Sequence, residues 1–122
     1  MPVINSKAIY LQLADKIMDG ILSGEYPSGE RLPSVRDYAA SVEVNSNTVM
    51  RTYDFLQQRG VISNKRGVGF FVDAEARQTI LELRRSQFFN EETPYFFNRL
   101  KQFEVSSREL AEMYQNYLKN QQ

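Results

Sequence analysis

Residues 45–60, NSNTVMRTYDFLQQRG, constrain the fold of this chain more than any other stretch. Asn45 has the short side-chain acceptor that satisfies an orphan amide of a first helical turn, and Gly60 suits the left-handed residue that closes a helix. One helix fits between them. On it Val49, Tyr53 and Leu56 recur at i, i+4 and i+7 as an apolar stripe, while Asn47, Arg51, Asp54 and Gln58 share the opposite side. The polar side is short-armed at its start. Ser46, Asn47 and Thr48 can approach a base edge or a phosphate closely, Arg51 reaches further, and the helix N-terminus favours an anion. A recognition helix needs these properties, but an ordinary surface helix shares the pattern, so the flanking segments have to decide.

Upstream, residues 6–24 read as a helix with Ile9, Leu13, Ile17 and Ile21 at intervals of four and Gly24 as its stop. Residues 25–33, EYPSGERLP, are turn chemistry with Leu32 tucked inward, and read as a connecting loop. Ser34 then caps a second, short helix whose Val35, Tyr38, Ala39 and Val42 face the core. Arg36 falls in its first turn, where the helix dipole offers a cation nothing; its partner is either a carboxylate in a surface salt bridge or a group outside the chain. Two helices and a turn leading into a third, polar-faced helix is the helix-turn-helix order. After Gly60 the period changes. Residues 61–65 and 70–73 are short and β-inclined, and the glycines at 67 and 69 permit the positive φ of a tight hairpin. Beside a recognition helix such a hairpin is a wing, able to lay Lys65 and Arg66 along a phosphate or in a minor groove.

Charge and composition limit the function. The chain holds 15 basic and 15 acidic residues, so its formal net charge is zero, which taken globally argues against a polyanionic partner. Locally the balance differs: residues 45–70 carry Arg51, Arg59, Lys65 and Arg66 against the single Asp54, a net +3. A basic patch of that kind is what phosphate contact requires. The chain has neither cysteine nor histidine. Without them there is no thiolate, no imidazole base and no imidazole metal ligand, and the carboxylates are scattered over helix faces. The expectation is a protein that is not an enzyme and needs no cofactor or metal. No apolar run approaches the roughly 20 residues that span a bilayer, and the first ten residues lack an apolar signal core. A soluble, cytoplasmic protein with no membrane partner is expected.

A different region of 49 residues begins near residue 74. Asp73 can cap a helix running to about residue 90, with Ile80 and Leu83 turned inward and Leu81 and Phe88 as further candidates. Thr93 and Pro94 fit the N-cap and N1 positions of another, to about residue 103. Ser106 with Glu109 forms the capping box of a last helix, whose Leu110, Met113, Tyr114, Tyr117 and Leu118 make a stripe. Such a tail is too short to be a ligand-binding domain of its own. Phe88, Phe89, Tyr95, Phe96, Phe97 and Phe103 give it more apolar surface than a few short helices can bury on one another. One covering is a second subunit, with those aromatics and Leu83, Leu100, Leu110, Met113, Tyr114 and Tyr117 at the interface. The other is the winged helix, against which they would form ordinary core. The expected architecture is mostly α with a small β-hairpin wing: a winged helix-turn-helix over 1–73 and a helical dimerisation region over 74–122.

The motifs I-Y-x-Q at 9–12, G-E-R-L-P-S-x-R at 29–36, V-N-x-N-T-V at 44–49 and G-x-G-x-F-V at 67–72 together resemble the winged helix-turn-helix of the GntR family of bacterial transcription regulators. The resemblance covers 9–72 without a gap. It implies that Arg36 binds phosphate or base, that Asn45, Ser46, Asn47, Thr48 and Arg51 meet an operator, and that Arg66 and Gly67 reach the minor groove. Met50 stands where certain relatives carry a DNA-contacting arginine, so it is left out of the site. The short helical tail resembles the YtrA subfamily, whose members are dimeric regulators often encoded with ABC transporter operons. It implies a homodimeric repressor that reads double-stranded DNA, since one winged helix alone makes too few base contacts for useful specificity and a two-fold dimer on a palindrome doubles them. No effector is implied. The alternative is a winged-helix module that mediates protein contact and no longer binds DNA; Asp54 and the neutral total charge favour it, and the basic wing and polar helix opening count against it.

Overall fold

Helix α1 (Ile9–Ser23) is the first element of the computed structural model, which describes residues 7–121. Ser6, expected to begin this helix, lies outside the described residues. Leu13, Ala14, Ile17, Met18 and Ile21 form its buried side, and Gly24, at φ 92°, ends it. Ile9 belongs to the same periodic stripe but stands 53 % exposed, because it is the helix's first residue and lies beyond the packed turns.

Helices α2 (Val35–Val42) and α3 (Ser46–Gln58) begin as their caps dictate. Ser34 Oγ accepts from the Asp37 amide at 3.0 Å, and Asn45 Oδ1 accepts from the Asn47 amide at 2.7 Å, each satisfying a donor the helix itself cannot use. The stripe Val49, Tyr53 and Leu56 is completely buried, packed with Ile17, Val61 and Val72 in one core. Tyr53 is both ring and tether. It meets Phe70 edge-on at 5.0 Å, and its hydroxyl donates to the Pro33 carbonyl at 2.7 Å. Burial pushes the Tyr53 hydroxyl far above the ordinary tyrosine range, with the neighbouring Tyr26 and Tyr38 adding to the effect.

Strands β1 (Ile62–Lys65) and β2 (Gly69–Val72) form the expected antiparallel hairpin, in register from Ile62↔Val72 to Lys65↔Gly69. At its tip the Val68 amide donates to the Lys65 carbonyl at 2.8 Å, and Gly67 takes φ 77° at the third position of the turn, a conformation that favours glycine. The 25–33 stretch is more than a connecting loop. Its Gly29 amide donates to Val72, the Val72 amide to Glu30, and the Leu32 amide to Phe70, setting Arg31 opposite Phe71. Prolines at 27 and 33 oppose a helix there, and β2 offers an unpaired edge, so the segment becomes a short third edge of the sheet.

Helix α4 (Ala76–Gln87) lies just past the expected division at residue 73 and packs on the core of the winged helix. Composition changes at Asp73, but Ala76 and Ile80 are completely buried and Leu83 packs against the same core as α1 and α3. Arg77 donates to the Leu22 carbonyl, and Arg84 pairs with Asp19 at 2.8 Å. One compact unit ends at Arg85 and the next begins at Ser86, so α4 up to Arg85 is grouped with the winged helix. Leu81 and Phe88, candidates for inward positions, are exposed.

The elements of the second unit are all helical. A π-helical turn (Phe88–Glu92) continues directly into α5 (Thr93–Gln102), with the Thr93 amide donating to the Phe88 carbonyl. Thr93 is therefore not an N-cap; its backbone is helical and its buried Oγ1 has no hydrogen-bond partner among the described residues. The physical reason lies in Pro94. Its ring would clash with the carbonyl four residues back in a regular helix, and a widened turn at that place accommodates it without a break. Glu104, at φ 54°, closes α5, and Ser106 Oγ accepts from the Glu109 amide at 3.1 Å to begin α6 (Ser107–Asn120). No described residue after Ile80 is buried.

Candidate nucleic-acid interface

The capped start of α3 is exposed. Ser46, Asn47, Met50, Arg51 and Asp54 face solvent and Thr48 is half-buried. The Asn45 side chain is engaged as the cap, so its amide nitrogen is the part left to meet a ligand. Asn47 uses only its backbone amide in that cap, and its side chain makes no hydrogen bond among the described residues.

Arg51 is held from beneath. Its guanidinium carbon lies 4.0 Å from the centre of the Tyr10 ring, and Tyr10 in turn meets Phe55 edge-on at 6.2 Å. A stacked guanidinium keeps its N–H edge available for hydrogen bonding in the plane. Thr52, wholly buried, donates its hydroxyl toward the Tyr10 and Thr48 carbonyls at 2.9 and 3.1 Å. That bond ties the start of α1 to the middle of α3. Asn47, Thr48 and Arg51 thereby share one recess of about 340 Å³ with Ala8, Ile9 and Tyr10. Neither Tyr10 nor Thr52 was evident as a site residue in the sequence. Tyr10 falls inside the I-Y-x-Q motif without an assigned role, and Thr52 lies on neither the apolar stripe nor the polar side assigned to this helix.

Arg36 is exposed on α2 and forms no ion pair among the described residues. Of its two expected partners, the intramolecular carboxylate is not present there. The wing carries Lys65, Arg66 and Gly67 at its exposed tip. Lys65 Nζ lies 4.3 Å from the centre of the Phe71 ring, which steadies its long side chain. Arg36, the α3 residues and the wing residues thus stand on three elements built around one core, rather than in a single pocket.

Residues 9–72 match the model of the bacterial regulatory proteins, gntR family. The chain belongs to the GntR family. It is a DNA-binding transcription regulator, and its relatives are regulators rather than enzymes. It is 35 % identical over 108 residues to the uncharacterised HTH-type transcriptional regulator YhcF of Bacillus subtilis, covering 88 % of each chain. It is also 35 % identical over 78 residues to the HTH-type transcriptional repressor YtrA of the same organism, spanning 64 % of this chain and 60 % of YtrA. Among solved structures, a crystal structure described as a GntR-family transcriptional regulator from Bacteroides thetaiotaomicron superposes with a TM-score of 0.84 at 48 % identity, over 94 % of this chain and all of that one. That likeness extends well past residue 72, so the helical tail is part of what the two GntR proteins share.

In the tail, Phe88, Phe89, Phe96, Phe97, Phe103, Met113, Tyr114 and Tyr117 are all exposed, Phe103 most of all at 66 %. Tyr95, Leu100 and Leu110 are half-buried within this unit. Leu83, expected at the same interface, instead packs on the core of the winged helix.

Proposed function

We propose that this protein is a homodimeric repressor that reads a palindromic operator. The observation that carries the dimer is the uncovered apolar surface of the tail. In a 122-residue chain of average apolar content, nine exposed large apolar side chains among the described residues of one small helical unit, the eight above and Leu118, exceed what scattered surface residues account for. A second copy covers such a surface with the same surface, as a two-fold interface requires. The functional division then falls at Arg85, with the DNA-reading unit before it and the dimerising unit after it. The name of the similar YtrA protein, a repressor, supports repression over activation.

On the DNA, Asn47 is assigned to a base edge, Arg51 to guanine or phosphate, Arg36 to phosphate, and Lys65, Arg66 and Gly67 to the wing contact. Ser46, Thr48 and Asn45 line the approach to the helix N-terminus. Work on an operator puts the protein in the cytoplasm, and the resemblance to YtrA favours a transporter operon as its target. Selection of duplexes from a random pool, followed by sedimentation of the selected complex, tests the proposal. Two inverted half-sites bound by two chains are expected. A single half-site occupied by one chain would overturn it.

A further inference from the structure

Arg31 belongs to the 25–33 segment, whose residues pair with β2. In the structure it sits on the wing. Antiparallel partners project from the same face of a sheet, so the pairs Ser63↔Phe71, Lys65↔Gly69 and Arg31↔Phe71 put Arg31, Ser63, Lys65 and Phe71 on one face. The opposite face carries the buried Ile62 and Val72 toward the core. On the outer face the Arg31 side chain runs toward the hairpin tip across Gly69: a Cβ added at Gly69 would lie 2.8 Å from Arg31 Nε and 3.3 Å from its guanidinium carbon. Gly69 leaves the gap that Arg31 fills. Arg31 is exposed and forms no ion pair or side-chain hydrogen bond among the described residues. Its backbone is fixed by the flanking bonds between Glu30 and Val72 and between Leu32 and Phe70. Phe71 thus carries Lys65 Nζ over its ring and has the Arg31 backbone as its strand neighbour, while the Arg31 guanidinium lies against Gly69.

We propose that Arg31 is a DNA-backbone contact of this regulator, extending the wing's phosphate-binding surface from Lys65 and Arg66 across Gly69. The proposal rests on the reading of the wing as a DNA contact. A guanidinium held at one end by a strand edge, with no carboxylate partner among the described residues and lying along the basic tip, has the fork that suits a phosphate. As a phosphate contact it contributes affinity and salt dependence without sequence preference.

The test compares full-length wild type, Arg31→Gln, Arg31→Lys and the double variant Lys65→Ala/Arg66→Ala. Each is titrated with a duplex selected by the wild-type protein and with a random duplex of equal length, over a range of salt. Arg31→Gln is expected to weaken binding to both duplexes by a similar factor and to lower the slope of log affinity against log salt by about 0.9, one phosphate's share. Arg31→Lys, which keeps the charge, should retain most of that slope, and thermal melting should move little for either. An unchanged slope for Arg31→Gln while Lys65→Ala/Arg66→Ala lowers it would overturn the Arg31 contact and leave the wing intact. Equal losses for Arg31→Gln and Arg31→Lys accompanied by lower melting temperatures would overturn it in favour of a purely structural role. No slope change in any variant would remove the wing reading and the proposal together.

Discussion

At the residue scale, the arrangement around Arg51 is a two-storey device in which a base- or phosphate-reaching guanidinium rests on Tyr10. If the ring orients it, Tyr10→Leu should cost about 0.5–1 kcal/mol of operator affinity, the worth of an exposed cation–π contact, whereas Tyr10→Phe should cost little. In an Arg51→Ala background the Tyr10→Leu loss should vanish, and a double-mutant cycle of binding constants checks this. Asn47→Ala should cost about 1–3 kcal/mol on the selected operator and little on random DNA, because a bidentate amide contact discriminates bases and phosphates do not. Equal losses on both duplexes would remove its base-reading role. Tyr53 gives a stability prediction. Its hydroxyl titrates far higher in the folded protein than in the unfolded chain, so the folded state binds the extra proton and stability falls as pH rises above about 10. Denaturant midpoints measured across that range should drop less steeply for Tyr53→Phe, which at neutral pH should cost about 1–2 kcal/mol by orphaning the Pro33 carbonyl.

At the element scale, α4 decides where the DNA-binding unit ends. Ala76 and Ile80 are buried as deeply as any residue of α3, so Ile80→Ala should destabilise the winged helix by about 2–4 kcal/mol, the usual cost of an aliphatic cavity. A chain ended at Asp73 should melt far lower, or without cooperativity, compared with one ended at Arg85; equal melting curves would separate α4 from the core. The hairpin carries its cations differently from α3. Lys65 and Arg66 are exposed cations at the hairpin tip, so if they act mainly on phosphate, replacing both with Ala should weaken all duplexes by similar factors and flatten the salt dependence by roughly one to two counterions.

At the scale of the whole molecule, the uncovered aromatic surface after Gln87 predicts a dimer at micromolar concentration. Sedimentation equilibrium should show it, and the melting temperature should rise with protein concentration, as subunit association requires. The chain ended at Arg85 should be a folded monomer with much weaker operator binding. A monomeric full-length protein would leave Phe96, Phe97, Phe103 and Tyr117 without a covering.

Local chemistry determined what could be read from the residues alone. Ser34, Asn45 and Ser106 accept the amides that their types and positions announced, the stripe Val49, Tyr53 and Leu56 is buried, and the glycines at 67 and 69 made the hairpin visible, because caps, periodicity and positive φ act within a few residues of chain. Contacts between distant segments were decided only in three dimensions. Nothing in EYPSGERLP announces that Arg31 pairs with Phe71, 40 positions on, since edge pairing depends on a neighbour the segment meets after folding. Residues 76–83 are helical by pattern, but whether their apolar side belongs to the winged helix or to a partner depends on the shape of the gap left in the core, which Ala76 and Ile80 fill. The same holds for Tyr10 beneath Arg51: the ring and the guanidinium are 41 positions apart, and only the packing of α1 on α3, tied by Thr52, brings them to stacking distance.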